Sequence, residues 1–324
     1  MNVLLIRLKS IGDVVLTLPA VNAVRENFPG ATITFLTSRE NVVLLDGFCE
    51  VNRVITLDRA SLRTVNPLTL IRQFGGLLSQ LRAGQFDLVV DFQGYGETAW
   101  FTRLTGAPKR WGSVYGRGRG WAYTTGVPRD NMLHHAERSL AILRAGGLEI
   151  RAPRNEFFIS PAAKVATNNF LQTSRMDTAR PILFIQPFTS SPHKNWPLEN
   201  YLELAQRWQQ RGGQVIFGGG PGERATLESV VASRFVISAG VSLSVTAGLM
   251  QASTLVIGGD TGALHLAVAS GRRVAMLMAS TGPGYAYPFQ HRNWAITPES
   301  GEQVPSMSIA RVWAGCERIL NEST

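Results

Sequence analysis

The sequence predicts an α/β protein of two similar domains in tandem, each with a parallel sheet covered by helices on both faces. Three observations support this fold. Short apolar runs alternate with amphipathic stretches, which is typical of parallel strands joined by helices. The alternation stops over residues 151–180 and begins again with a new first strand at Ile182. The chain of 324 residues is also long enough for two ordinary domains.

Buried strands are predicted where runs of Val, Ile, Leu and Phe occur, and helices where apolar residues recur at helical spacing. In the first half the predicted strands are 3–8, 31–37, 51–57 and 86–92. The predicted helices there are 14–27, 67–82 and 134–145. We assign residues 1–160 to this first domain, with the linker between the domains inside 151–180.

The second half repeats the scheme. Its predicted strands are 182–186, 214–218, 235–238, 254–258 and 274–278, and its predicted helices are 198–211, 221–233, 242–251 and 261–270. We assign residues 161–307 to the second domain. A final apolar-periodic stretch within 308–324 has no strand after it, and we expect this helix to pack back on the first domain.

The charge of the chain predicts an anionic partner. There are 32 Lys+Arg against 23 Asp+Glu, a net charge of +9, and 28 of the basic residues are Arg. Residues 1–160 hold 19 basic and 13 acidic residues, so +6 of this excess lies in the first half. Nucleic acid, a phosphorylated small molecule or an acidic membrane surface would suit such a chain. A genome-wide preference for Arg codons is the alternative, and composition does not separate the two.

Several classes of protein are disfavoured by composition. Hydrophobic residues make up 44% of the chain, which excludes wholesale disorder. No apolar run reaches the roughly 18–20 residues of a membrane helix. With two cysteines and no signal-peptide pattern at the start, we expect a reducing, cytoplasmic setting. No Asp-x-Asp pair, clustered histidines or dinucleotide-binding glycine motif occurs, so we expect neither a metal nor a cofactor.

One candidate catalytic residue follows the first predicted strand. Ligands of open parallel sheets bind at the carboxyl ends of the strands. Asp13 falls at the corner between this first strand and the next helix. It could act there on a ligand, or it could cap the helix, a position that Asp favours.

A possible phosphate-binding loop follows the first strand of the second half. Thr189, Ser190 and Ser191 supply hydroxyls, and Lys194 supplies a positive charge. An ordinary polar loop before the next helix is the alternative. The glycine-rich stretch 217–224, which contains Glu223, is predicted to be a flexible turn because it matches neither a dinucleotide fingerprint nor a P-loop.

The sharpest local feature is the stretch 258–267, where two glycines end a strand and a helix begins at about Thr261. The free N–H groups of a helix start suit a phosphate or diphosphate. Gly262 would allow a close approach of the backbone to such a ligand. In the alternative interpretation Asp260 is only a cap and His265 only a packed polar side chain.

Residues 103–119 form a basic stretch without a single acidic residue. Aromatic and glycine residues alternate with its Arg and Lys side chains. Such stretches bind nucleic acid or phosphorylated glycans, and the alternative is a solvated mobile loop. We expect Arg117 and Arg119, together with Arg59 and Arg63, to face an anionic ligand.

Taken together, these segments resemble the ADP-heptose:lipopolysaccharide heptosyltransferase family, glycosyltransferase family 9. The resemblance covers most of the chain and is most specific at Gly259–Ala267. It also rests on Ser10–Asp13, on the stretches 90–94, 105–112 and 135–138, and on Lys194–Pro197 and Gly219–Glu223.

The resemblance implies a GT-B fold, with two Rossmann-like domains facing across a cleft. It implies an inverting, metal-independent transfer of heptose from ADP-heptose to an inner-core acceptor of lipopolysaccharide. The acceptor would be an anionic, lipid-linked glycan, faced by Arg59, Arg63, Arg117 and Arg119 and reached from the cytoplasm, with peripheral contact at the inner membrane. Another nucleotide-sugar or acceptor, or a nucleotide-sugar-binding or anion-binding module without turnover, is the alternative.

The resemblance also implies roles for single residues. Asp13 matches the proposed general base. Thr189, Ser190 and Lys194 match the donor phosphate site. The remaining donor-site residues are matched by position: Glu223 near the ribose, Val241 against adenine, and Asp260, Thr261, Gly262 and His265 around the diphosphate and sugar.

Overall fold

Twelve strands of this computed structural model form two parallel sheets of six strands each. The structure describes residues 1–59, 67–116, 118–231 and 234–322. The chain divides into two units, Met1–Asn155 and Glu156–Thr324. The division falls inside the stretch 151–180, where the sequence loses its alternating pattern.

The first unit contains six strands: β1 Asn2–Ile6, β2 Thr32–Ser38, β3 Arg53–Leu57, β4 Leu88–Asp91, β5 Lys109–Val114 and β6 Thr125–Pro128. Their order in the sheet is β3-β2-β1-β4-β5-β6, so the direction of winding reverses between β1 and β4. Its helices are α1 Ile11–Val15, α2 Leu18–Asn27, α3 Val42–Leu45, α4 Pro67–Ala83, α5 Gly96–Leu104 and α6 His135–Ala145.

The second unit is wound in the same way. Its strands are β7 Ile182–Gln186, β8 Gln214–Phe217, β9 Val236–Ile237, β10 Leu255–Gly259, β11 Val274–Leu277 and β12 Ala295–Ile296. Their order is β12-β11-β10-β7-β8-β9, with the reversal between β7 and β10. Its helices are α7 Pro161–Thr173, α8 Leu198–Gln210, α9 Arg224–Val230, α10 Leu243–Ala252, α11 Gly262–Ala269 and α12 Ile309–Asn321.

Central strands are mostly apolar because helices cover both faces of the sheet, and their polar residues, such as Gln186 of β7 and Asp91 of β4, lie at the carboxyl ends. All five residues of β7 are buried, and so are all five of β10. In the first unit Leu4 and Ile6 of β1 pack with Leu81 of α4 and Val89 of β4. Within the described ranges, no helix has the length and the apolar character needed to cross a bilayer.

β5 and α7 are two of the observed elements that the sequence did not predict. β5 lies inside the basic stretch that the sequence left as a binding segment or a mobile loop. Its Lys109 is exposed, whereas Trp111 is buried, and the strand is held by pairing with β4 and β6. α7 lies in the predicted linker: the Ser160 side chain accepts a hydrogen bond from Ala163 N, and Pro161 occupies the first turn.

The terminal helix also differs from the prediction. We expected it to pack back on the first domain, but α12 belongs to the second unit. Val312, Cys316 and Ile319 lie on one face of α12 and are buried in the core of that unit. The helical spacing identified the element correctly, but it contains no information about which core receives the apolar face.

Candidate active site

In the first unit, a charged cluster lies at the carboxyl edge of the sheet. Asp13 is in the first turn of α1, and its Oδ1 lies 2.9 Å from Arg7 Nη2 and 3.1 Å from His135 Nδ1. Its Oδ2 accepts hydrogen bonds from Ser10 N at 3.2 Å and Ser10 Oγ at 3.4 Å. Asp13 is therefore not the N-cap of α1, because Ser10 takes that position, but it fastens the start of the helix from the third helical position and also forms an ion pair with Arg7.

The strand order explains why these side chains meet. Arg7 directly follows β1, and its Nη1 donates a hydrogen bond of 2.6 Å to Phe92 O, just after β4. His135 is the first residue of α6, which comes after β6. Ligands of doubly wound sheets bind at the point where the strand order reverses. Asp13 lies at that point of the first sheet.

Asp13 is ionised over the whole physiological range. Burial by itself would raise the pKa of this carboxyl group. The hydrogen bond from His135 and the positive charge of Arg7 outweigh burial and hold the pKa well below its usual value. The side chain remains 25% exposed, so a ligand can reach the carboxylate.

In the second unit a matching cluster occupies the reversal point between β7 and β10. Lys194 Nζ, in the loop after β7, lies 2.9 Å from Asp260 Oδ2, directly after β10. His265 Nε2 lies 3.4 Å from Asp260 Oδ1, and the imidazole is buried. Both loops follow strands at the same edge of the sheet, and the structure brings Lys194 and Asp260 together. Asp260 is not the N-cap of α11, because Thr261 takes that position.

The pKa of Asp260 is lowered by its two neighbours. Burial alone would raise it, but the hydrogen bonds and positive charges of His265 and Lys194 lower the pKa to about 2. His265 is therefore not only a packed polar side chain, because it also helps to keep Asp260 ionised.

This pKa predicts acid sensitivity of the second unit. The unfolded value is about 3.9, so between that pH and about pH 2 the folded chain binds fewer protons than the unfolded chain. The ionised carboxylate then contributes about 2–3 kcal/mol above about pH 5, and this contribution is lost as the pH falls through 4 towards 2. Urea midpoints of wild type and Asp260→Asn should differ at pH 7 and converge near pH 2. Glu199→Gln, which neutralises an exposed carboxylate of the same unit, should show no such trend.

The backbone on either side of Asp260 allows a ligand to approach it closely. A Cβ atom at Gly259 would lie 2.5 Å from Thr189 Cγ2, so only glycine fits there. The Thr261 side chain makes no capping hydrogen bond to α11, which leaves N–H groups of the first turn, including that of Gly262, directed outward. Thr189 Oγ1 donates to Ser191 O at 2.9 Å and shapes the loop, while Ser190 is exposed.

Glu223 and Val241 lie further along the same edge, after β8 and β9. Glu223 Oε2 accepts a hydrogen bond of 2.6 Å from Gly220 N and closes the glycine turn. Gly240 N donates to Gly219 O at 3.0 Å, which joins this turn to the loop that carries Val241. Val241 is half-buried against the core. These two residues thus form a second group, separate from Lys194 and Asp260.

Two of the four predicted acceptor residues lie in the described part of the chain. Arg59 Nη2 forms an ion pair of 2.8 Å with Glu97 Oε1. Arg119 Nη1 donates to Gly94 O at 3.2 Å, next to the carboxyl end of β4. Arg63 and Arg117 lie outside the described residues.

Sequence reasoning missed the partners of Asp13. Arg7 was given no role, and His135 entered only through the stretch 135–138 of the family resemblance. Arg7 lies only six residues before Asp13, whereas the contact with His135 is formed through the tertiary fold, over 122 residues. Over the ranges that the structure describes, no group of three or more His, Cys, Asp or Glu side chains could hold a metal ion.

Solved structures share the architecture of both units. The Escherichia coli heptosyltransferase WaaC, solved with ADP-2-deoxy-2-fluoro heptose, superposes with a TM-score of 0.77 at 21% identity, over 98% of this chain and 99% of that one. The two six-stranded parallel sheets of the chain match those of heptosyltransferases with the GT-B fold.

Sequence comparisons identify the family. The model of glycosyltransferase family 9 (heptosyltransferase) matches residues 75–309, and the chain belongs to this family. It is therefore a glycosyltransferase. Lipopolysaccharide heptosyltransferase 1 of Pseudomonas aeruginosa is 27% identical over 308 residues, which cover 88% of this chain and 80% of the relative. Lipopolysaccharide heptosyltransferase 3 of Escherichia coli is 25% identical over 217 residues, and the match spans 65% of this chain and only 60% of that protein.

Proposed function

We propose that this glycosyltransferase transfers a heptose from ADP-heptose to an inner-core lipopolysaccharide acceptor, with inversion and without a metal ion. The observation that carries the proposal is the charge pair of Lys194 and Asp260 beside the start of α11, at the point where the second sheet reverses. The names of the relatives, and the ADP-heptose analogue bound to WaaC, support the choice of donor and acceptor.

The order of the strands supports the position of the nucleotide. Lys194 and Asp260 follow β7 and β10, whereas Glu223 and Val241 follow β8 and β9. The strands lie in the order β10-β7-β8-β9 and are about 4.8 Å apart, so the two groups span about 14 Å. We place the adenine against Val241, the ribose near Glu223, and the diphosphate between Lys194, the hydroxyls of Thr189 and Ser190, and the start of α11.

Departure of the nucleoside diphosphate places negative charge on its oxygens. Lys194 Nζ and the outward N–H groups of Thr261 and Gly262 stabilise that charge at the first turn of α11. Asp260 and His265 hold Lys194 and the turn in position. Preformed donors of this kind lower the barrier because they need no rearrangement during the reaction.

The proposed chemistry is a single displacement. The acceptor hydroxyl oxygen forms a bond to the anomeric carbon as the bond from that carbon to the diphosphate oxygen breaks, and the hydroxyl proton passes to Asp13. A carboxylate with a low pKa is a weak base. Proton transfer therefore comes late, when the partly bonded oxygen has become strongly acidic. Arg59, Arg63, Arg117 and Arg119 would attract the anionic acceptor.

We place the reaction in the cytoplasm, where the enzyme binds the lipid-linked acceptor at the membrane surface.

A panel of nucleotide-sugars tests the identity of the donor by thermal shift. ADP-heptose at 100 times its dissociation constant should add about 2.7 kcal/mol of apparent stability, and ADP should act in the same direction. A larger shift with a uridine or guanosine diphosphate sugar would contradict the proposed donor. Binding of ADP-heptose without turnover of any acceptor would favour a binding module.

A further inference from the structure

The loop that joins β1 to α1 determines where the carboxylate of Asp13 lies. This loop consists of residues 7–10. Its strand, β1, has two neighbours in the sheet, β2 on one side and β4 on the other. Just past its carboxyl end, each neighbour supplies one buried amide side chain, Asn41 after β2 and Gln93 after β4. Neither residue has a part in the function proposed so far.

Gln93 holds the loop through its side-chain oxygen. Its Oε1 accepts hydrogen bonds from Leu8 N and from Lys9 N, both at 3.2 Å. Because one oxygen receives both bonds, a single side chain fixes two successive peptide groups. Leu8 is itself fully buried, so water does not compete for its N–H group.

Asn41 holds the same loop from the other side. Its Nδ2 donates to Leu8 O at 2.8 Å and lies 3.5 Å from Thr37 Oγ1. Its Oδ1 is buried and has no hydrogen-bond partner in the part of the chain that the structure describes. An unpaired buried oxygen lowers stability, so the main contribution of this amide is its bond to Leu8. Leu8 is therefore held at its N–H group by Gln93 and at its carbonyl group by Asn41.

The turn that carries Gln93 is fixed by Asp91, the last residue of β4. The carboxyl group of Asp91 is fully buried. Its Oδ1 accepts hydrogen bonds from Gln93 N and Gly94 N, both at 2.9 Å, and its Oδ2 accepts one of 2.7 Å from Tyr123 OH. Burial raises the pKa of Asp91, and these hydrogen bonds oppose the rise. Gly94 has a φ of +69°, which glycine adopts at little cost.

The same turn also contacts the ion-pair partner of Asp13. Phe92 O accepts the hydrogen bond of 2.6 Å from Arg7, and Arg7 pairs with Asp13. The turn 92–94 therefore supports Asp13 in two ways, through Arg7 and through the backbone of the loop. Because a misplacement of about 1 Å can lower a rate about 10²-fold, such support matters to a reacting carboxylate.

We propose that Gln93 and Asn41 are positioning residues for the transfer reaction, which hold the loop after β1 so that the carboxylate of Asp13 meets the acceptor hydroxyl. The inference rests on the proposed function, because only a reaction at Asp13 depends on the exact position of that loop. In the alternative, the two amides only satisfy buried backbone groups. Their removal would then change the stability of the protein and leave its rate unchanged.

Removal of each amide at nearly constant volume tests the proposal. Gln93→Met and Asn41→Leu are each expected to lower kcat about 10- to 100-fold, because the carboxylate is then displaced for part of the time. The KM for the donor and the dissociation constant of ADP should be unchanged, since Lys194 and Asp260 belong to the second unit. Hydrogen exchange over residues 7–13, followed by mass spectrometry, should be faster in both variants.

A conservative variant and a matched control separate position from stability. Gln93→Glu should retain most of the rate, because a carboxylate oxygen can accept the same two backbone N–H groups. The control is Asn22→Leu. Asn22 is a buried amide of the same unit, and its Nδ2 donates to Arg154 O at 2.9 Å, outside the loop. Asn22→Leu should lower the urea midpoint as the other two variants do and leave kcat close to that of wild type.

Four results would overturn the proposal. The first is lower stability with unchanged kcat in Gln93→Met and Asn41→Leu. The second is unchanged hydrogen exchange over residues 7–13 in these variants. The third is an equal loss of kcat in Asn22→Leu, and the fourth is no recovery of rate in folded Gln93→Glu.

Two further measurements keep the test decisive. If Gln93→Met fails to fold, Gln93→Asn takes its place, because it keeps the amide but withdraws the oxygen by one methylene, and it should also lower kcat. Near-normal turnover in Asp13→Asn would contradict the proposed base. Hydrogen exchange needs no acceptor and no turnover, so failure of the positioning role and failure of the proposed function are distinguishable.

Discussion

Asp13→Asn is expected to lower kcat by about 10²–10⁴-fold, the usual contribution of a general base. The substitution keeps the size of the side chain, and the amide oxygen can still accept hydrogen bonds from Arg7 and His135. What is lost is the ability to take a proton from the acceptor hydroxyl. Donor binding should be unchanged, because Lys194 and Asp260 belong to the second unit.

Stability measurements separate this role from a structural one. The Asn side chain can still accept a hydrogen bond from Ser10, whereas Ala cannot. Loss of such a hydrogen bond lowers the free energy of unfolding by about 0.5–2 kcal/mol. Both variants leave Arg7, which is only 11% exposed, without its carboxylate, so each should lose about 1–3 kcal/mol more. Asp46→Asn, at an exposed carboxylate of the same unit, should retain full rate and stability. Near-normal turnover in folded Asp13→Asn would assign the residue to structure alone.

Lys194→Ala is expected to weaken ADP binding by about 1.5–3 kcal/mol, which corresponds to about 10- to 150-fold in the dissociation constant. Two physical effects act in the same direction. The diphosphate loses a hydrogen bond from a charged donor. In addition, Asp260 loses the ammonium that lies 2.9 Å away and presents an unbalanced negative charge to the ligand.

A double variant separates the two effects. Asp260→Asn removes the unbalanced negative charge that would repel the diphosphate. Lys194→Ala/Asp260→Asn should therefore bind ADP more tightly than Lys194→Ala alone. Titration calorimetry on the four proteins of this cycle gives the coupling energy. Lys164→Ala, at an exposed lysine of the same unit, is the matched control and should leave ADP affinity unchanged. Unchanged affinity in folded Lys194→Ala would remove Lys194 from the nucleotide site.

Local pattern was a reliable guide where the residues themselves favoured one structure. The strand 182–186 was predicted at its observed bounds, because Ile, Leu and Phe in a short run are typical of a doubly covered strand. β5 was not predicted, because its residues Lys109, Arg110, Gly112 and Ser113 are not typical of such a strand. Pairing on both sides and burial of Trp111 form that strand, and both are properties of the completed sheet.

The sequence by itself determined the two α/β units, the family resemblance and the positions of Asp13, Lys194 and Asp260 at the carboxyl ends of strands. The reason is that alternation, glycine turns and helix starts are local, and the carboxyl ends of parallel strands always share an edge. Only the tertiary structure decided which ends are neighbours. Strand order joins Lys194 to Asp260 over 66 residues and His135 to Asp13 over 122. It also brings Asn41 and Gln93 to the loop before Asp13 from the two sides of β1, because a sheet brings together side chains that no local pattern relates.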